Sequence, residues 1–374
     1  MFDEHIRAFR TCQTCPSLCQ SVCPVFINDG IKTHSPQGLM QLFNLVRKNK
    51  LDFNESIATE PYHCTGCRAC TELCEHNIDV GSVMQSARNE AYRQELAPKE
   101  INSFVERFHR HNNPFSRDLV KKLKNMLPKR YFNPNNSIVY FPSCSTVAKC
   151  PEIIKDTFSL FDKFQIDFVS LFADPIHCCG YPLLSCGAAY DFVDLAEINY
   201  HALKNYKTII TGCPVCAHVL KNIYAKYDFN LSRQVVTVNQ FLKPYFQDMN
   251  YKIKKKVRSK VIFHDPCYLA RYMDEYELPR EMISRVSGYE AQEFHDNRKN
   301  CGCCGQGAAY PIVERERANQ ITKNRLEECY EKKAKLLISQ CPICLYKMRE
   351  QSNKLVIKDV ISYLNDCIEE TSSS

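Results

Sequence analysis

The second half of the chain alternates short apolar runs with longer stretches of mixed polarity. A cysteine follows each of four such runs within four residues: Ser137–Phe141, Thr208–Ile210, Val261–Phe263 and Leu336–Ile338. Runs of this length and composition predict buried strands. The stretches between them predict helices, for example over Ile198–Lys207 and Val313–Lys332. This alternation indicates α/β units with a parallel sheet, whose carboxyl edge would carry the cysteines.

The first half shows helical patterns instead. Ser35 and Pro36 fit the N-cap and first position of a helix over residues 38–46. A second helix is predicted over Val80–Glu95, and the basic, proline-containing segment that follows predicts helices and a connector. We therefore expect an α + α/β protein with a helical domain, a connector and two α/β units, at residues 1–100, 101–135, 136–250 and 260–366.

Cysteine is the unusual component of the composition, with 23 among 374 residues. A disulfide scaffold fits poorly, because dense disulfides belong to small secreted domains and the sequence before Cys12 lacks the apolar core of a signal peptide. The sequence also has no apolar stretch of the roughly 18 residues that a membrane span needs. We expect metal-bound thiolates in a cytoplasmic protein, with peripheral association at the inner face of the membrane as an alternative.

The formal net charge of +7 would by itself suggest a nucleic-acid partner. That count treats every cysteine as neutral, whereas metal-bound cysteines are thiolates and would cancel the excess. The two basic runs, Lys121–Lys124 and Lys252–Arg258, are isolated and fit solvated linker surfaces. We expect no nucleic-acid partner.

Two runs of four cysteines stand in tandem near the N-terminus. The second run has the C-x2-C-x2-C-x3-C spacing of bacterial ferredoxins, in which the fourth cysteine serves the other cluster. The first run has one extra residue between its second and third members. We assign one [4Fe–4S] cubane to Cys12, Cys15, Cys19 and Cys74, and another to Cys64, Cys67, Cys70 and Cys23. Zinc is the alternative, although a tetrahedral zinc site usually takes two spaced pairs.

The later cysteines form an internal repeat with a lone cysteine, an adjacent pair and a C-P-x-C segment in each copy. The first copy begins at Cys144 and the second at Cys267, and corresponding members are offset by 123, 125 and 128 residues. A pattern that recurs at so constant an offset indicates duplication. Adjacent cysteines suit a multi-iron core, because neighbouring side chains diverge. A thioredoxin-like dithiol is the alternative for the C-P-x-C segments, and their recurrence with the pairs argues against it.

The segments Cys178–Gly180, His264–Arg271 and Asn300–Gly307 resemble the CCG domain that defines the B-type component of heterodisulfide reductase. Residues 1–110 are similar to the C-type component and residues 136–366 to the B-type component, so the fused order resembles the D-type component. The iron–sulfur subunits of glycolate oxidase and anaerobic glycerol-3-phosphate dehydrogenase share this layout. The resemblance implies a helical two-cluster ferredoxin-like domain followed by a duplicated CCG domain.

The resemblance also implies a noncubane [4Fe–4S] cluster in each copy. The ligands would be Cys144, Cys178, Cys179, Cys213 and Cys216 in the first copy, and Cys267, Cys303, Cys304, Cys341 and Cys344 in the second. Five cysteines remain and are expected to be buried small apolar residues, with Cys186 and Cys301 as alternate ligands: Cys150, Cys186, Cys301, Cys329 and Cys367. His177 and His264 lie beside ligands and would hydrogen-bond to cluster sulfur or donate protons.

These features predict an oxidoreductase subunit that passes electrons between a flavoprotein dehydrogenase and a quinone or disulfide acceptor. No glycine-rich dinucleotide fingerprint follows a strand, so we expect the flavin in a partner, either a flavoprotein dehydrogenase subunit or a membrane quinone-reactive subunit. The catalytic residues are unassigned. The alternative is that the chain itself reduces a disulfide at a noncubane cluster. A non-redox zinc protein is the remaining alternative.

Overall fold

Two parallel sheets of four strands form the centre of the cysteine-rich half. The computed structural model describes residues 1–173, 178–248, 251–254 and 261–369. Within these ranges the strands are β1 (Ile138–Tyr140), β2 (Val169–Leu171), β3 (Thr208–Thr211), β4 (Val235–Thr237), β5 (Val261–His264), β6 (Gln292–Glu293), β7 (Leu336–Ser339) and β8 (Val356–Asp359). The orders β2-β1-β3-β4 and β6-β5-β7-β8 give both sheets one topology, as duplication predicts.

The four runs predicted to be strands form the central pair of each sheet. Val139 of β1 lies opposite Ile209 of β3, and Ile262 of β5 lies opposite Leu337 of β7. All four side chains are buried, since central parallel strands are covered on both faces and therefore keep continuous apolar sequences. The predicted parallel sheets are confirmed.

The N-terminal region is built from helices. Residues 1–135, all of which the structure describes, contain no strand and have the α-helices Ile6–Gln13, Pro24–Asp29, Pro36–Arg47, Glu55–Thr59, Ala69–Glu72, Val80–Arg93, Lys99–His109 and Leu119–Lys124. The predicted cap is present, because Ser35 Oγ accepts a hydrogen bond from the backbone N–H of Gly38 at 3.1 Å. The second predicted helix ends at Arg93, two residues earlier than expected.

Helices also flank the two sheets. Those of the first repeat are Cys144–Lys149, Pro151–Lys163, Tyr181–Cys186, Ala189–Leu203, Pro214–His218 and Val238–Gln247, and those of the second are Glu277–Ser287, Tyr310–Val313, Arg315–Glu331, Pro342–Gln351 and Val360–Cys367. The helix predicted over Val313–Lys332 is confirmed. The prediction over Ile198–Lys207 was wrong at both ends, because the helix starts at Ala189 without a side-chain cap and stops before the turn into β3.

The two repeats complete each other's core. The final helix, Val360–Cys367, packs against Pro151–Lys163 of the first repeat. Ser159 Oγ donates to Asn365 Oδ1 at 3.1 Å, and Lys163 Nζ donates to the carbonyl of Ile368 at 2.9 Å. One apolar core therefore runs through both sheets.

The segment 101–135, expected to be a connector, packs on the first repeat. Ile101, Val105 and Phe108 are buried in the core that contains β1 and β3. Lys122 Nζ donates to the carbonyl of Ala148 at 3.1 Å. Of the other basic run, 252–258, the described residues include only 252–254.

Candidate metal centres

The first N-terminal set of thiols lies near the surface. Cys12, Cys15, Cys19 and Cys74 are each partly exposed. Burial, followed by the thiols of Cys19, Cys74 and Cys15, raises the pKa of Cys12 to about 12. Burial and the thiol of Cys15 also raise the pKa of Cys19, and Cys74 adds to the effect. The structure therefore places Cys74 beside the first run, although it follows the second run in sequence.

The second N-terminal set surrounds a cavity. Cys23, Cys64, Cys67 and Cys70 line this cavity together with two histidines. Burial, then the thiols of Cys67, Cys64 and Cys23, raises the pKa of Cys70 well above its ordinary value. Cys23 thus lies with the second run, so the two runs exchange their last cysteines.

The two histidines in that cavity, His34 and His63, are missing from the sequence-based assignment. Their imidazole rings stack with centroids 3.7 Å apart, and His34 Nδ1 lies 2.7 Å from Asp29 Oδ2. His63 directly precedes Cys64 and could have been found from that position. His34 belongs to no recognisable motif, because only the fold brings it to this cavity.

A left-handed turn accommodates the extra residue of the first run. Ser17 has φ +68°, and the 3-10 helix Leu18–Val22 follows it. In the second run Gly66 and Arg68 also adopt positive φ, at +63° and +60°. Both loops thus fold back on themselves, which gathers the closely spaced cysteines of each run.

The adjacent cysteines of the first repeat reach in different directions. Cys178 Sγ lies 3.6 Å from Cys144 Sγ, whereas Cys179 is hydrogen-bonded to Cys216. The hydrogen bonds from Cys178 and Cys216 lower the pKa of Cys179. Cys213 in turn hydrogen-bonds Cys216. The five thiols therefore form one continuous chain of contacts.

The second repeat has the same arrangement. Cys303 is hydrogen-bonded to Cys267, and Cys304 Sγ lies 3.1 Å from Cys344 Sγ. The hydrogen bonds from Cys303 and Cys344 lower the pKa of Cys304, and Cys341 hydrogen-bonds Cys344. In both copies the first cysteine of the adjacent pair thus contacts the lone cysteine, and the second contacts the C-P-x-C segment.

A glycine follows each adjacent pair for a steric reason. Gly180 and Gly305 both have φ +84°. A Cβ on Gly305 would lie 2.6 Å from the carbonyl of Ala318, and one on Gly180 would lie 2.8 Å from the ring of Phe192. Only glycine fits this left-handed, close-packed position, which turns the chain sharply after the two cysteines.

One thiol joins the N-terminal domain to the second repeat. The pKa of Cys67 is raised well above its ordinary value, first by a hydrogen bond to Cys303 and then by burial. Cys303 Sγ also lies 3.8 Å from Thr65 Oγ1. Cys67 and Cys303 belong to two different predicted ligand sets, which therefore touch.

Arg271 and Tyr272 fasten this contact. Arg271 Nε donates to the carbonyl of Cys67 at 2.6 Å, and its Nη1 donates to the carbonyl of Cys301 at 2.8 Å. Tyr272 Oη donates to the carbonyl of Gly66 at 2.6 Å. Neither residue was assigned a role from sequence, although Arg271 lies in the segment that carries the family resemblance.

His264 lies beside the second repeat's thiols. Its ring nitrogen, Cys304 Sγ and Cys344 Sγ fall within 4.8 Å of one another. Burial and the nearby guanidinium of Arg325 lower the pKa of His264 to about 3, so the ring is neutral. Both of its nitrogens are buried without a hydrogen-bond partner among the described residues. The other flanking histidine, His177, lies outside the described residues.

The five remaining cysteines are buried: Cys150, Cys186, Cys301, Cys329 and Cys367. Cys150 Sγ accepts a contact from Arg349 Nη1 at 3.7 Å, and the carbonyl of Cys186 accepts a hydrogen bond from Tyr62 Oη at 2.9 Å. Both contacts join separate parts of the chain, as expected for packing roles.

The four donor sets fit iron–sulfur clusters. All 23 cysteines are described, and each has a free thiol in this structure. Burial makes ionisation of these thiols costly unless a metal core accompanies it. Five contacting thiols in each repeat exceed the four that tetrahedral zinc takes. Polar atoms without a partner among the described residues, such as Arg271 Nη2 and the two ring nitrogens of His264, also suit a sulfur-rich group.

Comparisons with known protein families agree with this geometry. A family model described as a 4Fe-4S dicluster domain matches residues 8–78, and one described as the CCG cysteine-rich domain matches residues 138–221 and again 261–349. The chain is an iron–sulfur protein with one dicluster domain and two CCG domains. The dicluster match contains both N-terminal cysteine runs, and each CCG match contains one five-cysteine set.

Similar proteins are components of oxidoreductases. The D component of the dihydromethanophenazine:CoB–CoM heterodisulfide reductase of Methanosarcina barkeri is 24% identical, over 84% of this chain and 79% of its own length. The B component of the CoM/CoB fumarate reductase of Methanothermobacter marburgensis is 27% identical, over 80% of this chain and 59% of its own length. The EtfAB:quinone oxidoreductase of Syntrophomonas wolfei is 24% identical, over 76% of this chain and 42% of its own length.

The chain thus spans less than two thirds of the length of the last two relatives. Among its described helices, none combines the length and the apolar character that crossing a membrane requires.

Proposed function

We propose that the chain is the iron–sulfur electron-transfer subunit of an oxidoreductase complex, and that it passes electrons between a flavoprotein dehydrogenase and a quinone or disulfide acceptor. The contact between Cys67 and Cys303 carries this proposal. It links a ligand set of the dicluster domain directly to a ligand set of a CCG domain. A continuous series of sites is what electron transfer between two partners requires.

The proposed cofactors are two [4Fe–4S] cubanes and two CCG-type clusters of the noncubane form. The cubanes would use Cys12, Cys15, Cys19 and Cys74, and Cys64, Cys67, Cys70 and Cys23. The CCG-type clusters would use the two five-cysteine sets that begin at Cys144 and Cys267. When bound, such clusters take up and release single electrons. The chain's own contribution is to supply thiolates, to exclude water and to set the local charge.

Solvent access falls from the first set to the others, which supports an entry point at the dicluster domain. The cysteines of the first set are partly exposed, and Leu18 and Leu73 next to them are 66% and 44% exposed. All ten cysteines proposed as ligands in the CCG domains are buried. A small apolar rim around an accessible site suits the transient docking of a redox partner.

The proposed partner is a flavoprotein dehydrogenase subunit or a membrane quinone-reactive subunit, with peripheral association at the inner face of the membrane. The support comes from the names of the relatives, which include a quinone oxidoreductase and a component of a heterodisulfide reductase. Each relative shares only about a quarter of its residues with this chain.

Anaerobic purification of the tagged chain from its host, followed by flavin analysis of the co-purifying subunits, tests the proposal. We expect a flavin-containing dehydrogenase whose substrate bleaches the cluster absorption of the chain. Recovery of the fully iron-loaded chain in a complex that contains neither flavin nor quinone-reactive subunit would overturn it.

A catalytic disulfide reductase is the second candidate, favoured by the completeness of both five-thiol chains. An anaerobic assay of the purified chain with disulfide substrates and a reduced viologen dye separates the two candidates. Turnover that disappears in Cys303→Ser but persists in the packing variant Cys329→Ser would favour catalysis. Full iron loading without turnover would leave electron transfer as the function.

A further inference from the structure

The two CCG domains differ at two buried positions close in sequence to their lone cysteines. Alignment on Cys144 and Cys267 places Phe141 opposite His264, and Ala148 opposite Arg271. All four side chains are buried. The first copy thus has two apolar groups at positions where the second copy has an imidazole and a guanidinium.

Arg271 is a buried permanent cation among the thiols of the second copy. It is 6% exposed. Burial by itself lowers the pKa of Arg271. The nearby thiols outweigh that effect and hold the pKa above its ordinary value, which reflects how close they lie to the guanidinium: Cys301, Cys67, Cys267 and Cys303. Two of its nitrogens bind backbone carbonyls, whereas Nη2 is buried with no partner among the described residues.

His264 supplies a second donor at the same site. Its ring is 1% exposed and approaches the sulfur atoms of Cys304 and Cys344. An imidazole carries at least one N–H in either protonation state, and burying that group without an acceptor is costly. Sulfur atoms are the acceptors that this position offers.

We propose that Arg271 and His264 donate hydrogen bonds to the sulfur atoms of the group bound in the second CCG domain, and thereby make that domain the higher-potential site of the two. A nearby cation and hydrogen bonds to sulfur stabilise the more negative, reduced state of a cluster. The second domain also touches Cys67, so electrons that enter from the dicluster domain would collect there. This inference rests on the proposed function, because it requires that both CCG domains hold clusters.

Potentiometric titrations monitored by electron paramagnetic resonance test it on the full, anaerobically reconstituted chain. The double variant Cys178→Ser/Cys179→Ser removes two of the first domain's ligands, so that the second domain supplies the CCG-type signal beside those of the two cubanes. In that background His264→Phe introduces the residue of the first copy. In this variant we expect the ratio of reduced to oxidised cluster in the second domain to fall about tenfold at a fixed potential. That change corresponds to a midpoint potential lower by about 59 mV for a one-electron couple.

Two matched variants separate the N–H donor from side-chain volume. His264→Gln keeps an N–H donor and should hold the midpoint near that of the parent, whereas Phe141→His in the otherwise wild-type chain should raise the first domain's midpoint. An unchanged midpoint in His264→Phe would overturn the proposal, as would an equal fall in His264→Gln. Iron analysis keeps the two proposals apart: a wild-type chain that lacks iron in the CCG domains defeats the proposed function, whereas a loaded chain without the shift defeats only this inference.

Discussion

Arg271 Nε donates a hydrogen bond to the backbone carbonyl of Cys67 across the boundary between the second CCG domain and the dicluster domain, with a nitrogen–oxygen distance of 2.6 Å. The same guanidinium donates from Nη1 to the carbonyls of Lys299 and Cys301, at 2.9 and 2.8 Å. One side chain therefore binds three carbonyls on two backbone segments where two predicted ligand sets meet. The planar, multiply donating fork of arginine is suited to this task.

Arg271→Lys should loosen this joint even though the charge is kept. A lysine cannot reproduce all three directed hydrogen bonds, and the loss of even one should lower stability by about 1.5–3 kcal/mol, the range for a hydrogen bond that involves a charged group. Differential scanning fluorimetry of the anaerobic protein measures the effect. Arg298→Lys is the control, because Arg298 pairs with the exposed Glu277 and should change stability by less than about 0.5 kcal/mol. Equal melting temperatures in the two variants would count against the joint.

The exchange of cysteines between the two N-terminal runs predicts a specific pattern of iron loss. Cys23→Ala and Cys64→Ala, alone or together, should each remove about four iron atoms, because they serve one cluster. Cys23→Ala combined with Cys12→Ala should remove about eight. The control Cys329→Ala, buried outside the sets, should keep its iron. If Cys23 and Cys12 shared one cluster, the double variant Cys23→Ala/Cys12→Ala would lose only about four iron atoms.

Gly305 should tolerate no side chain. Gly305→Ala combines a left-handed φ with a clash against the carbonyl of Ala318, and we expect a loss of about 3 kcal/mol or more together with the iron of the second CCG domain. Gly30→Ala is the matched control, because Gly30 has φ +67° with no atom within 4 Å of the new Cβ. Gly30→Ala should lower the free energy of unfolding by about 1–2 kcal/mol and should leave the iron content unchanged. Equal losses of stability and iron in both variants would contradict this account.

The Asp359 carboxyl predicts a pH dependence of stability. Burial raises its pKa to about 7, above the ordinary value of 3.8. The folded state therefore binds the proton more tightly than the unfolded state, and stability falls as pH rises from about 4 to 7. Over pH 5.5 to 7.5 the fall should be about 2 kcal/mol, at 1.36 kcal/mol per unit below the folded pKa.

Asp359→Asn should remove that slope. The amide oxygen can still accept the N–H of Ile361 that Asp359 Oδ1 accepts at 2.9 Å, so the cap of the last helix is retained. Chemical denaturation of the anaerobic protein at several pH values compares the two proteins. A variant with the slope of the wild type would assign the pH dependence to other groups.

Part of the fold could be predicted from sequence because its central strands are buried on both faces. β1, β3, β5 and β7 carry continuous apolar runs for that reason. The flanking strands were missed, since β6 is only Gln292-Glu293 and β2 has three residues, which leaves no periodicity to detect. The start of the helix Ala189–Leu203 was missed because Ala188 provides no capping side chain.

The ligand sets could be proposed from spacing and resemblance, whereas the way they meet could not. Cys67 and Cys303 lie far apart in sequence, and their contact depends on how the dicluster domain docks onto the second repeat. His34 reaches the cavity of the second set by the same kind of long-range packing. The role of Arg271 follows only from the carbonyls that the fold brings around it.

Whether this chain carries four clusters is decided by quantifying iron, acid-labile sulfide and zinc in the anaerobically purified chain. Four four-iron clusters predict about 16 iron and about 16 sulfide per chain, with little zinc. Several equivalents of zinc with little iron or sulfide would contradict the account.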